Sequence, residues 1–148
     1  AINWVKEQYG DFNEFVSLPA TSPLRGVKDV ESAILRRSNV GADICIAITP
    51  ANRSPYFNMV KKLDNNLIEL IIKPVNSIFR RQDSPEVFDI TTVAYVATVD
   101  FIMNNSNIFD GKVTSVEIPK HRAVDIDDIY DFKFAEVILN NTSIEKQR

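Results

Sequence analysis

The sequence has little of what most readily betrays a function. Its 148 residues include one cysteine and one histidine, so there is no Cys/His cluster of the kind that holds zinc. Cys45 has no second cysteine to pair with, which fits a reducing compartment, and a cytoplasmic location is expected. It lies within Ile44-Cys45-Ile46-Ala47-Ile48 and reads as a small buried apolar residue rather than a nucleophile. The four glycines, Gly10, Gly26, Gly41 and Gly111, are too scattered to form a phosphate-cradling loop. A net charge of -3 and a pI near 5.2 lack the basic excess of a nucleic-acid binder. No apolar run approaches the ~20 residues that span a bilayer, and Ala1 to Glu7 shows no secretory signal pattern. His121, in Pro119-Lys120-His121-Arg122, has no sequence-level partner to make it a base and reads as a surface histidine.

What is present is ordinary for a globular α/β chain: 45% hydrophobic and 25% charged residues, at a length that fits one domain. The first residue is not Met, and Ala1 to Tyr9 reads as a helix entered part-way, so the chain is expected either to have a processed start or to be a piece of a longer polypeptide. Phe15 to Leu18 reads as a strand ended by Pro19. A loop follows over Ala20 to Gly26, then a helix over Val27 to Arg37 with Val27, Val30, Ala33 and Ile34 on one face. Asp43 to Thr49 is a near-continuous apolar strand. Strand, helix and strand at this spacing predict a βαβ unit and a parallel sheet. Asp64-Asn65-Asn66 marks the turn of a hairpin between Met59–Lys62 and Leu67–Ile71. Further strands are expected over Thr91 to Thr98 and Val113 to Ile118, and a short helix over Val99 to Asn104. A C-terminal helix is expected from Asp128 to Asn140, burying Ile129, Phe132, Ala135, Val137, Ile138 and Leu139. The middle, about Phe57 to Lys120, reads as an excursion of hairpins inserted in one domain covering 1–148.

Two stretches can carry chemistry. If Val124-Asp125-Ile126-Asp127 is a strand, Asp125 and Asp127 share a face. Two carboxylates so placed repel unless a cation or donor sits between them, and Mg²⁺ typically takes one or two carboxylates plus substrate phosphates. The competing reading is that Asp127 or Asp128 caps the helix beginning near Ile129. The second stretch is Arg80-Arg81-Gln82-Asp83, where paired guanidinium groups suit a carboxylate or phosphate or else form a solvated loop with a local Arg–Asp pair. The hydroxyls of Thr21 and Ser22 lie just past a strand's C-terminal end, where ligands bind in open α/β sheets.

Three ordered segments, Leu18-Pro19-Ala20-Thr21-Ser22-Pro23-Leu24-Arg25, Arg80-Arg81-Gln82-Asp83-Ser84-Pro85 and Val124-Asp125-Ile126-Asp127, resemble signatures of the acylneuraminate cytidylyltransferases, the CMP-sialic acid synthetase-like family. The resemblance runs from about Phe15 to Leu139. It implies a Rossmann-like nucleotidyltransferase three-layer sandwich, incomplete at its N-terminal side, with an inserted β-hairpin dimerisation region at about 57–120. It implies CMP transfer from CTP to the anomeric hydroxyl of an acidic sugar, releasing pyrophosphate, in a homodimer with neither nucleic-acid nor membrane partners. By position, Asp125 and Asp127 resemble the catalytic carboxylates that bind Mg²⁺. Arg81 matches an arginine near the sugar pocket, Tyr95 the tyrosine of the following strand, and Phe109 an aromatic that helps close the sugar site across the dimer.

The departures concern the sugar and the phosphates. Pro19-Ala20 stands where sialic acid enzymes have Gln-Pro, Thr91-Thr92 where Asn-Gly is usual, and Phe57 where a lysine is expected. The Gly-rich, basic phosphate loop with which the family begins has no counterpart before Phe15, so the isolated chain is expected to be inactive. Two alternatives remain: a non-catalytic dimerising fragment of the same fold, and another sugar-nucleotide pyrophosphorylase.

Overall fold

The computed structural model describes residues 1–74 and 80–145. Backbone contacts divide the chain into two compact units, Ala1–Thr49 with Ile90–Arg148, and Pro50–Asp89. The expected excursion over 57–120 therefore runs across both units: the compact piece begins and ends earlier, and residues from 90 onward belong to the main sheet.

The first unit carries helix α1 (Ile2–Tyr9), strand β1 (Glu14–Ser17), helix α2 (Val27–Val40) and strand β2 (Ile44–Pro50). In the second unit lie the short strands β3 (Val60–Lys62) and β4 (Ile68–Leu70). Strand β5 (Phe88–Thr98), helix α3 (Val99–Asn104), strand β6 (Val113–Glu117) and helix α4 (Ile129–Glu145) return the chain to the first. The sheet order is β1-β5-β2-β6. Strand β6 runs parallel to β2, and β1 runs antiparallel to β5. Thr91 Oγ1 donates to the Ala47 carbonyl (3.4 Å) and the Thr98 amide to the Asp43 carbonyl (2.9 Å), so β5 runs opposite to β2. The βαβ expectation holds for direction, since β1 and β2 are parallel with α2 between them in sequence. It fails for adjacency. Strand β5 is wedged between them, and the sheet is mixed rather than parallel.

Period-two alternation in the central strands sends side chains to both faces. Cys45 and Ala47 join Ala94, Val96 and Ala33 of α2 in one core, while Ile44 and Ile46 join Ala97 and Phe101 of α3 in another. Helix, sheet and helix thus form three layers. Helix α2 is closed by Gly41 in the left-handed conformation (φ 61°), donating to the Arg37 and Ser38 carbonyls. Gly111 answers a close approach instead: a Cβ there would lie 2.6 Å from the Phe101 ring.

No residue of α1 is buried. Helix α4 buries only Ala135 among the side chains expected inside; Ile129, Phe132, Val137 and Leu139 are each more than half exposed, and Ile138 is half-buried. Its apolar residues are spread around the helix rather than gathered on one side, so no single packing face can take them all.

In the second unit, β3 and β4 pair antiparallel as the expected hairpin, with Lys61 opposite Glu69. Asn65 Oδ1 accepts from the Leu67 amide, and Asn66 takes the positive φ that the turn needs. Glu69 lies between Lys61 (2.9 Å) and Lys73 (2.7 Å). Their ammonium groups hold its carboxyl down at about 2.

Candidate functional site

The chain leaving β1 turns at Pro19, where the carbonyl accepts from the Ser22 amide (3.4 Å) and from the Arg25 guanidinium. This compact loop brings Ser22 into the interior, 2% exposed, with its hydroxyl 2.6 Å from the Thr92 hydroxyl of β5. Thr21 stays outside, with a longer 3.5 Å contact to Thr92. The Thr21 carbonyl accepts from the Ile126 amide at 2.9 Å. The first and third motifs, about a hundred positions apart in sequence, are therefore joined directly.

Residues 123–126 run without strand pairing, which corrects the expectation of a strand. The segment follows a 3-10 turn, Lys120–Arg122, and is pinned by that one amide at Ile126 rather than by a ladder. Face-sharing of Asp125 and Asp127 is therefore not imposed by a pleat. Asp125 is half-buried and Asp127 exposed. Among the described residues Asp125 Oδ1 is buried without a hydrogen-bond partner. Its carboxylate lies close enough to Tyr95 to act on the phenol: burial first, and then the Asp125 charge, push the Tyr95 pKa up.

The capping alternative holds for the neighbouring residue. Asp128 Oδ1 accepts from the Tyr130 (2.7 Å) and Asp131 (3.0 Å) amides, and Asp131 Oδ2 accepts in return from the Asp127 and Asp128 amides. Asp128 is thus consumed by the start of α4, whereas the side chains of Asp125 and Asp127 form no salt link or cap among the described residues.

A hard cation would fit this arrangement in one respect: a buried carboxylate oxygen with no donor aimed at it among the described residues. No group of three or more His, Cys, Asp or Glu side chains suited to a metal occurs among the described residues. The donor set fits Mg²⁺ better than zinc.

Of the other candidates, Tyr95 joins this centre through Asp125, and Phe109 does not. Phe109, 62% exposed, lines a cavity of about 300 Å³ in the first unit with Ile46, Ile48, Ile90 and Val113, a lining that does not include Thr21, Ser22 or Asp125. Arg81 opens a 3-10 turn, Arg81–Asp83, in the second unit; its side chain lies outside the described residues, as do positions 75–79 of the basic run from Lys73 to Pro85. The same turn contributes Gln82 to a cavity of about 430 Å³ with Arg53, Ser54 and Glu86. His121 is exposed, 3.5 Å from the Arg122 guanidinium.

Sequence reasoning noted Thr92 only as a substitution for a usual residue, and missed that its hydroxyl receives Ser22. It also missed Asp29. That carboxylate, 5% exposed, accepts from the Gly26 amide (2.8 Å) and pairs in a fork with Arg122 Nε (2.9 Å) and Nη2 (2.8 Å). The Gly26-to-Asp29 spacing is a legible capping signal; the partner 93 residues away is not. Burial opposes ionisation of Asp29, but the Arg122 and Gly26 hydrogen bonds outweigh it and lower the pKa.

No family model matches the sequence. The chain is 28% identical over 135 residues to "Post-translational flagellin modification protein B" of Campylobacter coli, covering 90% of this chain and 56% of that protein. It is 26% identical over 129 residues to the CMP-N,N'-diacetyllegionaminic acid synthase of Campylobacter jejuni, covering 87% of this chain and 54% of that protein. The chain thus spans about half the length of the curated relatives it matches. Among solved structures, 4-diphosphocytidyl-2C-methyl-D-erythritol synthase from Anaerococcus prevotii superposes with a TM-score of 0.58 at 11% identity, covering 93% of this chain and 64% of that one. Sequence and fold together resemble those of nucleotidyltransferases. More narrowly, the chain resembles the cytidylyltransferases, as the three motifs implied.

Proposed function

We propose that the chain is part of an enzyme that transfers CMP from CTP to the anomeric hydroxyl of an acidic sugar. The sugar hydroxyl oxygen forms a bond to the α-phosphorus, the α–β bridging P–O bond breaks, pyrophosphate leaves, and the hydroxyl proton is lost to solvent or a nearby base. The observation that carries this reading is the Thr21–Ile126 hydrogen bond. It sets the hydroxyl-bearing loop against the acidic segment, where Asp125 keeps a buried oxygen without a donor.

Asp125 and Asp127 would hold Mg²⁺, which when bound neutralises triphosphate oxygens and eases loss of the hydroxyl proton. Thr21 offers an exposed hydroxyl to the substrate, and Ser22 keeps the loop seated through Thr92. Tyr95, protonated at neutral pH, can donate to a substrate oxygen beside Asp125. Arg81 is assigned to the sugar carboxylate, for which a guanidinium offers a bidentate fork. Phe109 is assigned to closing the sugar site across a homodimer. The name of one relative, the CMP-N,N'-diacetyllegionaminic acid synthase, favours a nonulosonate such as a legionaminic acid. A cytoplasmic location fits the single buried cysteine, and no helix among the described residues is long and apolar enough to cross a membrane.

The test is turnover with CTP, Mg²⁺ and a panel of sialic, legionaminic, pseudaminic and Kdo-type sugars. It is run on the 148 residues alone and with the phosphate-loop segment of a relative added. The expected result is CMP-sugar only with the added segment, falling by roughly 100-fold or more for Asp125→Ala. Undiminished turnover in that variant, or none with any sugar, would sink the reading.

A further inference from the structure

The segment that carries Asp125 has no sheet to hold it, yet it is fastened on both sides. Downstream, the Ile126 amide is bonded to Thr21. Upstream, Arg122 is locked onto Asp29 by two bonds of 2.9 and 2.8 Å, and Asp29 is itself anchored to the first turn of α2 through the Gly26 amide. Both fastenings lead to the same stretch of chain, the loop and helix start between Thr21 and Asp29. Asp125 stands between the two, on the one part of the segment with no backbone ladder to fix it.

We propose that Asp29 and Arg122 are positioning residues for the Asp125 carboxylate, so that their ion pair sets the geometry of a divalent-ion site. This rests on the reading of Asp125 given above. A helix cap alone would not need the pair, because a single acceptor oxygen satisfies the Gly26 amide. The fork consumes both carboxylate oxygens and a planar guanidinium, a geometry that fixes direction as well as distance. A lysine at 122 could keep the charge but not the fork. With three residues between the fastenings, a shift of Arg122 passes along a short chain with few free torsions to absorb it. Asp29 is nearly inaccessible at 5% exposure, so its action on Asp125 runs through Arg122 and the backbone.

The experiment titrates the protein with Mn²⁺ and follows the free-ion signal by electron paramagnetic resonance, without CTP or sugar. Wild type, Asp125→Asn, Asp29→Asn, Arg122→Lys and Arg37→Lys are compared, each checked by circular dichroism and melting. Arg37 makes a similar pair with Glu14 elsewhere in the same unit and controls for loss of an ion pair as such. The expected result is Mn²⁺ binding by wild type, loss in Asp125→Asn, at least a fivefold weakening in Asp29→Asn and Arg122→Lys, and none in Arg37→Lys. The Arg122 variant keeps the outcome readable if Asp29→Asn unfolds, because Arg122 is 35% exposed and tolerates replacement better. Wild-type affinity in Arg122→Lys, or equal weakening in Arg37→Lys, overturns the positioning role and leaves Asp125 as an ion ligand. Wild-type affinity in Asp125→Asn, or no Mn²⁺ binding at all, overturns both.

Discussion

The Ile126 amide donates to the Thr21 carbonyl at 2.9 Å, so the loop after β1 and the acidic segment before α4 are held as one body. Among the described residues it is the backbone hydrogen bond that ties residues 123–126 to the loop after β1. The arrangement makes the loop's own fastening, through Ser22, a condition for the placement of Asp125.

Ser22 is 2% exposed and its hydroxyl is 2.6 Å from that of Thr92, one of them donating to the other. Ser22→Ala leaves the Thr92 hydroxyl without this partner, and Thr92→Val removes the other end. Each single change is expected to cost about 1–2 kcal/mol in urea unfolding. Together they should cost less than the sum, because the second removal no longer strands a polar group. Strict additivity in the double-mutant cycle would show that the two hydroxyls do not interact.

Burial and the Asp125 carboxylate both favour the protonated phenol of Tyr95. Asp125→Asn removes the second cause and leaves the first, so the Tyr95 titration should move down towards, but not reach, the usual value near 10. Tyr95→Phe identifies its share of the phenolate absorbance among the four tyrosines. The sign for stability follows from the raised pKa. Its contribution is complete below the unfolded value and is lost as pH climbs through the folded one. An unchanged titration in Asp125→Asn would separate the two side chains.

Most of the elements were legible because each announces itself locally. The apolar run Ile44–Ile48 with its buried cysteine and the Asp64-Asn65-Asn66 turn of the β3–β4 hairpin need no distant partner to be read. Pairing order was not legible. Strand β5 enters between β1 and β2 from about forty residues downstream, and nothing in a βαβ pattern reports such an insertion. The acidic segment shows the same limit: Val124-Asp125-Ile126-Asp127 alternates like a strand, but no strand of the sheet pairs with it. The site was legible as residue types in the first and third motifs; the bond that joins those two, Thr21 to Ile126, and the bonds beside it, Ser22 to Thr92 and Arg122 to Asp29, run between residues seventy or more positions apart.

Cys45 is fully buried, and desolvation pushes its thiol up to about 11. At pH 8 the native protein should react with a thiol-specific reagent only on unfolding, so labelling and melting should rise together. The folded pKa lies above the unfolded one, so stability from this group is intact below about pH 9 and declines between 9 and 11. Cys45→Ala should flatten that decline. Rapid labelling of the native chain at pH 8 would contradict the burial of β2.

Helix α4 tests whether apolar character or packing decides a residue's worth. Phe134 is 58% exposed and Ala135 next to it is 5% exposed. In the chain as it stands here, Phe134→Ser should change stability by less than about 0.5 kcal/mol, as surface substitutions usually do. Ala135→Leu, a gain of only three carbons, should cost about 1–3 kcal/mol because a closed site has no room for them. Both are read from denaturant midpoints at low protein concentration. If Phe134→Ser proves the more damaging of the two, the outer face of α4 is covered in solution, and the melting of the unsubstituted chain should then depend on its concentration.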